Sequence, residues 1–588
     1  MSDADAPADQ KLPRRVQSKS VSHRIVHGAG TAALTLLLMA GVMLAAAGLY
    51  LREAPINAPP WVRAKIENRI AQELPQAQVS FGEMVFVMDD GWRPRVRLRD
   101  VVVKTLAGQE IIRFNEFKAT LAARPLLDGQ VQPKEILLSG IFANLRRDVQ
   151  SFAVSGGHNA SAPAREAASL PQLIGQMDAV LQSPALSALQ TVELRAVTLR
   201  YTDLNAQRAW TADGGRARLL RDGNDLTLAA DIAILSGGAG VATLAANYTS
   251  RIGETEASFG VSFDGVAAGD IAAQGPAFAW LDVLRAPISG AVRSGLAADG
   301  RFEPLNATLQ IGAGVVQPND ETKPIPFDGA RSYFSYAPQD RLLRFDALSV
   351  KSAWISGEAA GSATLGVDPQ TGQLTDLVAQ IQLTDLSANP GSLYEEPIDL
   401  TGADADFRLE LDPFRISLGR LQIRDHSKTL LVQGSLQADP KGWRVAVDGQ
   451  MDGIVPTRLL ALWPKTLVPK TRKWLTENIL GGQINNIDMA LRRAPELPQQ
   501  TYLAFDYSEA SVRFMRHMPP IEKGKGHFSL TNNRMVVALD GGQVTPPAGG
   551  VVALAGSSFI LPDIRIRGGP PSVIRLKTRS SVIAALSI

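Results

Sequence analysis

The sequence predicts a mainly β protein: an N-terminal transmembrane helix, then an elongated antiparallel β-meander curving into a groove, with a few short helices. Three observations predict it. A charge-free apolar run lies near the N-terminus. Beyond Val79 the hydrophobic period changes to two, the mark of half-buried strands. The composition, with 6% aromatics, 51 Gly and 36 Pro, suits strands and turns better than helices.

Bulk properties exclude several function classes. The 588 residues carry a formal net charge of +2, which offers no basic footprint for nucleic acid. With no cysteine in the chain, a disulfide scaffold, a thiol nucleophile and a thiolate metal site are all ruled out.

Residues 1–24 are polar and basic and read as a cytoplasmic tail. Residues 25–51 contain no Lys, Arg, Asp or Glu. About 20 apolar residues cross a bilayer, so this run predicts a membrane span. Lys11, Arg14, Arg15, Lys19 and Arg24 precede it and only Arg52 closely follows, which keeps the N-terminus inside and exports the rest. A cleaved signal peptide would have a shorter apolar region of about 7–15 residues. The expected arrangement is therefore single-pass, with the N-terminus cytoplasmic and the bulk of the chain exported; the resemblance given below makes that membrane the inner membrane and the exported side the periplasm.

Residues 52–154 form the first exported region. Trp61, Ile66, Ile70 and Leu74 recur at helical spacing behind Pro59 and Pro60, predicting a short helix that caps the fold or lies on the membrane. The segment RVRLRDVVVKT then alternates apolar and basic residues as a strand does. Residues 155–168, small and polar, read as a linker. In 169–258 a helix between Ser169 and Leu189 precedes hairpins, and 259–455 continues the meander. Asp-Gly pairs begin at Asp90, Asp213, Asp222, Asp264, Asp299, Asp328, Asp448, Asp452 and Asp540; between alternating runs they predict hairpin turns. Residues 456–482 interrupt the pattern with two short helices, whose apolar positions are Leu459, Leu462, Trp463, Trp474, Leu475 and Ile479. They predict either a plug over an apolar channel or a pair packed on the outer face of the sheet. Residues 483–588 return to strands.

No catalytic motif emerges. There is no phosphate-binding loop, no G-x-S-x-G elbow and no H-E-x-x-H. His517 and His527 lie near a Gly-Lys-Gly turn and read as ordinary turn or sheet residues. The expectation is a non-enzyme without a cofactor.

The segments PLLDGQVQPKEILLSGIFANLRRD, Trp280–Val316, Leu459–Arg492 and Ser511–Leu530 resemble AsmA-like proteins, and the last three the YhdP-like branch. That resemblance implies a periplasmic, bridge-like β-groove carrying phospholipid from the inner toward the outer membrane. Relatives continue beyond the SSVIAALSI at which this sequence stops, so a fragment lacking a C-terminal part is expected. The apolar strand residues Val96, Leu98, Leu194, Leu199, Leu343, Phe345, Leu409, Leu411, Leu418 and Ile423 are candidates to line such a groove. By periodicity alone a closed β-sandwich core is the better fit, and the resemblance tips the reading to a groove. Two functions follow: a conduit for phospholipid or another acyl lipid, or an envelope scaffold holding protein partners at its sheet edges.

Overall fold

The computed structural model describes residues 56–588, except 74–76, 89–92, 107–109, 129, 149–150, 156–169, 204–207, 236–240, 370–372, 390–393, 466–468, 516, 548, 566–570 and 588. It also describes residues 38–40, 42, 43 and 46. The tail of 1–24, most of the 25–51 run and nearly all of the 155–168 linker lie outside the described residues. Leu38, Met39, Val42 and Met43 are helical and exposed. Among the described residues no helix is long and apolar enough to cross a membrane.

Alternation of side chains fixes the rest. A strand that points apolar residues one way and charged residues the other pairs with its neighbour in the register that keeps like faces together. Among the described residues thirty strands do so in one sheet. The ladder follows chain order from Glu83–Met88 and Pro94–Thr105 to Ser557–Leu561 and Val573–Arg575. The strand Ala257–Ala267 runs across the expected 258/259 boundary without a break.

One joint corrects the antiparallel expectation. Pro133–Asp148 pairs in parallel with Thr191–Asp203. A parallel step needs a long crossover, and the intervening segment supplies it, including the helix Leu170–Leu181 and a 3-10 turn at Pro184–Leu186. Arg221 fastens this crossover by donating to the carbonyls of Leu181 and Leu186.

The Asp-Gly pairs also behave differently from expectation. Asp222-Gly223 and Asp299-Gly300 stand at chain reversals. Asp213-Gly214, Asp264-Gly265 and Asp540-Gly541 lie inside strands, where the register shifts. Gly214 and Gly265 have φ of +66° and +68°, the left-handed conformation that a bulge requires and glycine supplies without strain. Asp448 and Asp452 sit within the regular strand Gly442–Ile454. Many reversals use other residues, such as His426 and Asn532, both at φ +54°.

Short helices join this sheet mainly along one of its long edges. The opening helix Pro60–Glu73 lays Ile66 against Phe81, Met84 and Val101, and Arg63 donates to the Gly82 carbonyl. It therefore caps the fold, with Trp61 left exposed. The short helix Ala268–Ala272 and the 3-10 helix Pro276–Val283 follow at the same edge, then Pro456–Leu462 and Pro469–Asn478. The helical insert ends at Asn478. Ile479 opens the strand Ile479–Arg493, and Gly481 and Gly482 lie within it, so the expectation of a helical Ile479 is corrected.

A candidate apolar trough

Directly opposed residues on neighbouring strands share a face, so the register can be followed strand by strand across the sheet. One row starts Met84, Leu98, Phe117, Leu138, Leu194. Ala217, Ala230, Ala246, Val261 and Val292 carry it on. Through the middle it runs Ala307, Phe334, Phe345, Gly361, Ile381. Ala405, Leu421, Val432, Gly449 and Met489 follow, and Leu503, Leu530, Met535 and Leu561 end it. No polar side chain interrupts the row over the whole ladder.

The adjacent row on the other face is its complement. It contains Arg97, Lys118, Glu193 and Arg218 at one end and Arg344, Gln380, Asp406 and Arg420 farther along. Cross-strand ion pairs such as Arg216–Asp231 at 3.1 Å and Arg492–Asp448 at 2.7 Å belong to this solvated face. Roughly two dozen steps of about 4.8 Å give the apolar face a contour on the order of 120 Å.

All ten lining candidates lie on the apolar face. Their burial differs. Leu98, Leu343 and Phe345 are buried. Val96, Leu194, Leu199, Leu409, Leu411, Leu418 and Ile423 are half-buried.

The difference follows what lies above them. Over the strands from Pro287–Leu296 to Leu374–Ala388 the apolar face is closed by residues 268–283. Leu281 there is 0% exposed, as are Ile288 and Leu343 beneath it. Trp280 meets Phe334 and Phe345 edge-to-face at 6.2 and 5.8 Å, and Phe278 meets Phe334 at 5.9 Å. This cover was expected to be part of the meander. Its signal was present: AGDIAAQGPAFAWL has no two-residue alternation and is broken by Gly-Pro.

A second covering element crosses the trough. Between Ile311 and Gly329 the chain forms a small sheet with Leu284–Arg285, Gly314–Val316 and Ile325–Phe327. It then reaches the opposite edge of strands eight steps farther on. There Trp443 Nε1 donates to the Lys323 carbonyl at 3.0 Å, and Asn319 Nδ2 approaches the Ala438 carbonyl at 3.5 Å. Phe414 stacks edge-on against Trp443 at 6.0 Å. Sheet twist explains the reach: about 20–25° per step turns the strands by roughly 160–200° over eight steps, which brings the far edge round to face the strap. Phe414, Ala438 and Thr322 are buried at this joint.

Elsewhere the cover is partial. On the strands from Thr191–Asp203 to Ala257–Ala267, inner-face residues such as Leu228, Ile232 and Leu244 are half-buried between helix-covered ends. On the strands beyond Leu411 the same holds for Leu436, Val445, Leu503 and Phe528. The helical insert touches only one margin of that region: Leu459 and Leu462 pack with Met451, Ile487, Leu503 and Phe505. These are trough-side residues, so the first helix of the insert, Pro456–Leu462, does not sit on the outer face. Leu475 and Trp463 are half-buried, and Trp474 is 43% exposed.

Two polar features hold this margin. Arg458 makes two hydrogen bonds to Asp425, at 2.7 and 2.8 Å, tying the insert to the strand Phe414–Asp425. The Asp425 side chain is 7% exposed; hydrogen bonding to Arg458 holds its carboxyl below the usual carboxylate range, outweighing the effect of burial. Tyr507 covers Gly526 on the trough side, and burial pushes its phenol up to about 12. Its hydroxyl donates to the Ala538 carbonyl at 2.6 Å, and a side chain at position 526 would collide with it.

His527 is exposed and faces Asp540 at 3.6 Å. Among the described residues no three His, Asp or Glu side chains group as metal ligands. No protein-family model and no curated protein matches the chain.

Proposed function

We propose that the chain is a membrane-anchored, non-enzymatic conduit for phospholipid or another acyl lipid, held at the inner membrane by residues 25–51 with its sheet in the periplasm. The observation that carries this reading is the apolar row, unbroken from Met84 to Leu561, half of whose length lacks a full protein cover. An apolar surface that is neither closed nor solvated calls for an apolar occupant. An acyl chain laid along it gains about 0.8 kcal/mol per buried CH2, and the lack of polar side chains lets it slide without breaking specific contacts. The sequence resemblance to AsmA-like proteins points the same way.

The scaffold reading has less support. The ladder ends on the short strands Ile56–Asn57 and Val573–Arg575, and short end strands offer a partner little backbone to pair with.

A photo-crosslinking residue separates the two readings. In place of Leu409 it is expected to capture phospholipid, and in place of Arg408, on the other face of the same strand, it is not. Capture of neighbouring protein alone at both positions would overturn the conduit.

A further inference from the structure

Continuity of the apolar row does not make a continuous path, because its cover is uneven. We propose that the trough is two acyl-binding lanes parted by a lid, residues 268–285 with the strap 312–328, and that the strap end at Asn319–Lys323 is the latch over the near end of the second lane. This rests on the conduit reading above and says where in the trough lipid can lie.

The parting is a matter of space. Under the lid, Leu281, Ile288, Leu309, Leu343 and Leu365 are all at most 1% exposed, and four aromatic rings interlock there. Interiors packed to this degree leave no room for an added chain of methylenes. On either side the same face reverts to half-buried Leu, Ile and Val. Lipid therefore has a lane on the strands before Ala268 and another from the strand Gly402–Leu411 onward, with protein filling the stretch between.

The latch is a matter of unequal attachment. The root of the lid is apolar and deeply buried, so moving it costs many kilocalories. The far end of the strap is held by the Trp443 and Asn319 contacts and by the Phe414–Trp443 pair, a few contacts on a surface otherwise half open. A neutral hydrogen bond adds little net stability, because water offers the same partners when it opens. Release of this end uncovers Phe414, Ala438 and Trp443, joining the second lane to the margin of the lid, while the root stays in place.

The test uses the full chain with radiolabelled phospholipid in phosphatidylethanolamine/phosphatidylglycerol vesicles. A photo-crosslinking residue replaces Leu244 in the first lane, Phe505 in the second, and Phe345 or the half-buried Tyr336 beneath the lid. Capture is expected at Leu244 and Phe505 and at least about tenfold less at both lid positions. Equal capture at all positions would overturn the two-lane arrangement. Capture at none of them would instead overturn the conduit reading itself. The latch is tested separately, in a chain that has no cysteine of its own. Asn319→Cys with Ala438→Cys, closed by a short bis-maleimide, is expected to leave capture at Leu244 and Phe505 unchanged. It should slow phospholipid transfer between donor and acceptor vesicles at least fivefold. Trp443→Phe, which keeps an aromatic ring at the joint but removes the donor, is expected to speed transfer. A locked strap that transfers at the unlocked rate would refute the latch.

Discussion

The sheet around Phe345 and the sheet around Leu421 are built by the same rule and end in different states. Both alternate apolar and polar residues, both pair in chain order, and both contribute to one apolar row. Around Phe345 that row is dry; around Leu421 it is half open. Nothing in the strands themselves makes the difference. It comes from what leaves the sheet edge: residues 268–283 return over the face, whereas the reversal Asp425–Lys428 is too short to return at all. Whether a β face becomes core or trough is decided by its connections.

The largest test of that contrast is a matched pair of truncations. Leu281→Ala removes a side chain with no exposure and leaves a cavity under the lid, so a loss of about 3–5 kcal/mol is expected. Leu409→Ala, on the half-covered part of the same face, is expected to lose about 1 kcal/mol, because its transfer from water was incomplete. Denaturant unfolding followed by tryptophan fluorescence measures both. Equal losses would mean that the two regions are packed alike and that the open lane is closed core.

A smaller effect is expected where the helical insert is tied down. Arg458→Ala leaves the buried Asp425 carboxylate with only the His426 ring beside it, at 2.9 Å, at a cost of about 2 kcal/mol. The sign of its pH dependence is fixed by the lowered carboxyl. The pair stabilises the fold fully above the ordinary carboxylate pKa and loses this contribution as pH falls through the lowered folded value. The stability gap between the native chain and the variant should therefore be constant near neutral pH and close in acid. A gap that widens in acid would show that Asp425 is not the ionised partner.

Much of this architecture is legible in the sequence because strand alternation is a local signal. RVRLRDVVVKT already displays its two faces, and all ten lining candidates fall on the side that alternation assigns them. Long-range geometry is not local and is not legible. Asp-Gly has the same conformational freedom in a bulge as in a turn, so Asp213 and Asp540 read as reversals although they kink strands. The parallel joint of Pro133–Asp148 with Thr191–Asp203 depends on a crossover whose path no periodicity reveals. The strap meets Trp443 through the accumulated twist of eight strand steps, which no pair of segments encodes. Lid residues 268–283 were readable as a break in alternation, but the face they would cover was not.

The smallest effect is expected on the charged face, and it completes the contrast between inside and outside. Arg216 and Asp231 pair across neighbouring strands at 3.1 Å, with side chains 71% and 53% exposed. Water already solvates both groups, and holding two flexible side chains together offsets most of the attraction. Arg216→Ala should therefore change stability by no more than about 1 kcal/mol, and less in high salt. Truncating Leu98 or Phe334, large buried side chains of the trough row, to alanine costs more. A loss above about 2 kcal/mol, measured by the same unfolding experiment, would mean that the charged face is covered by something as the apolar face is, and that the sheet has no solvated side. Unchanged stability would place the forces that hold the ladder together in its backbone pairing and its apolar row.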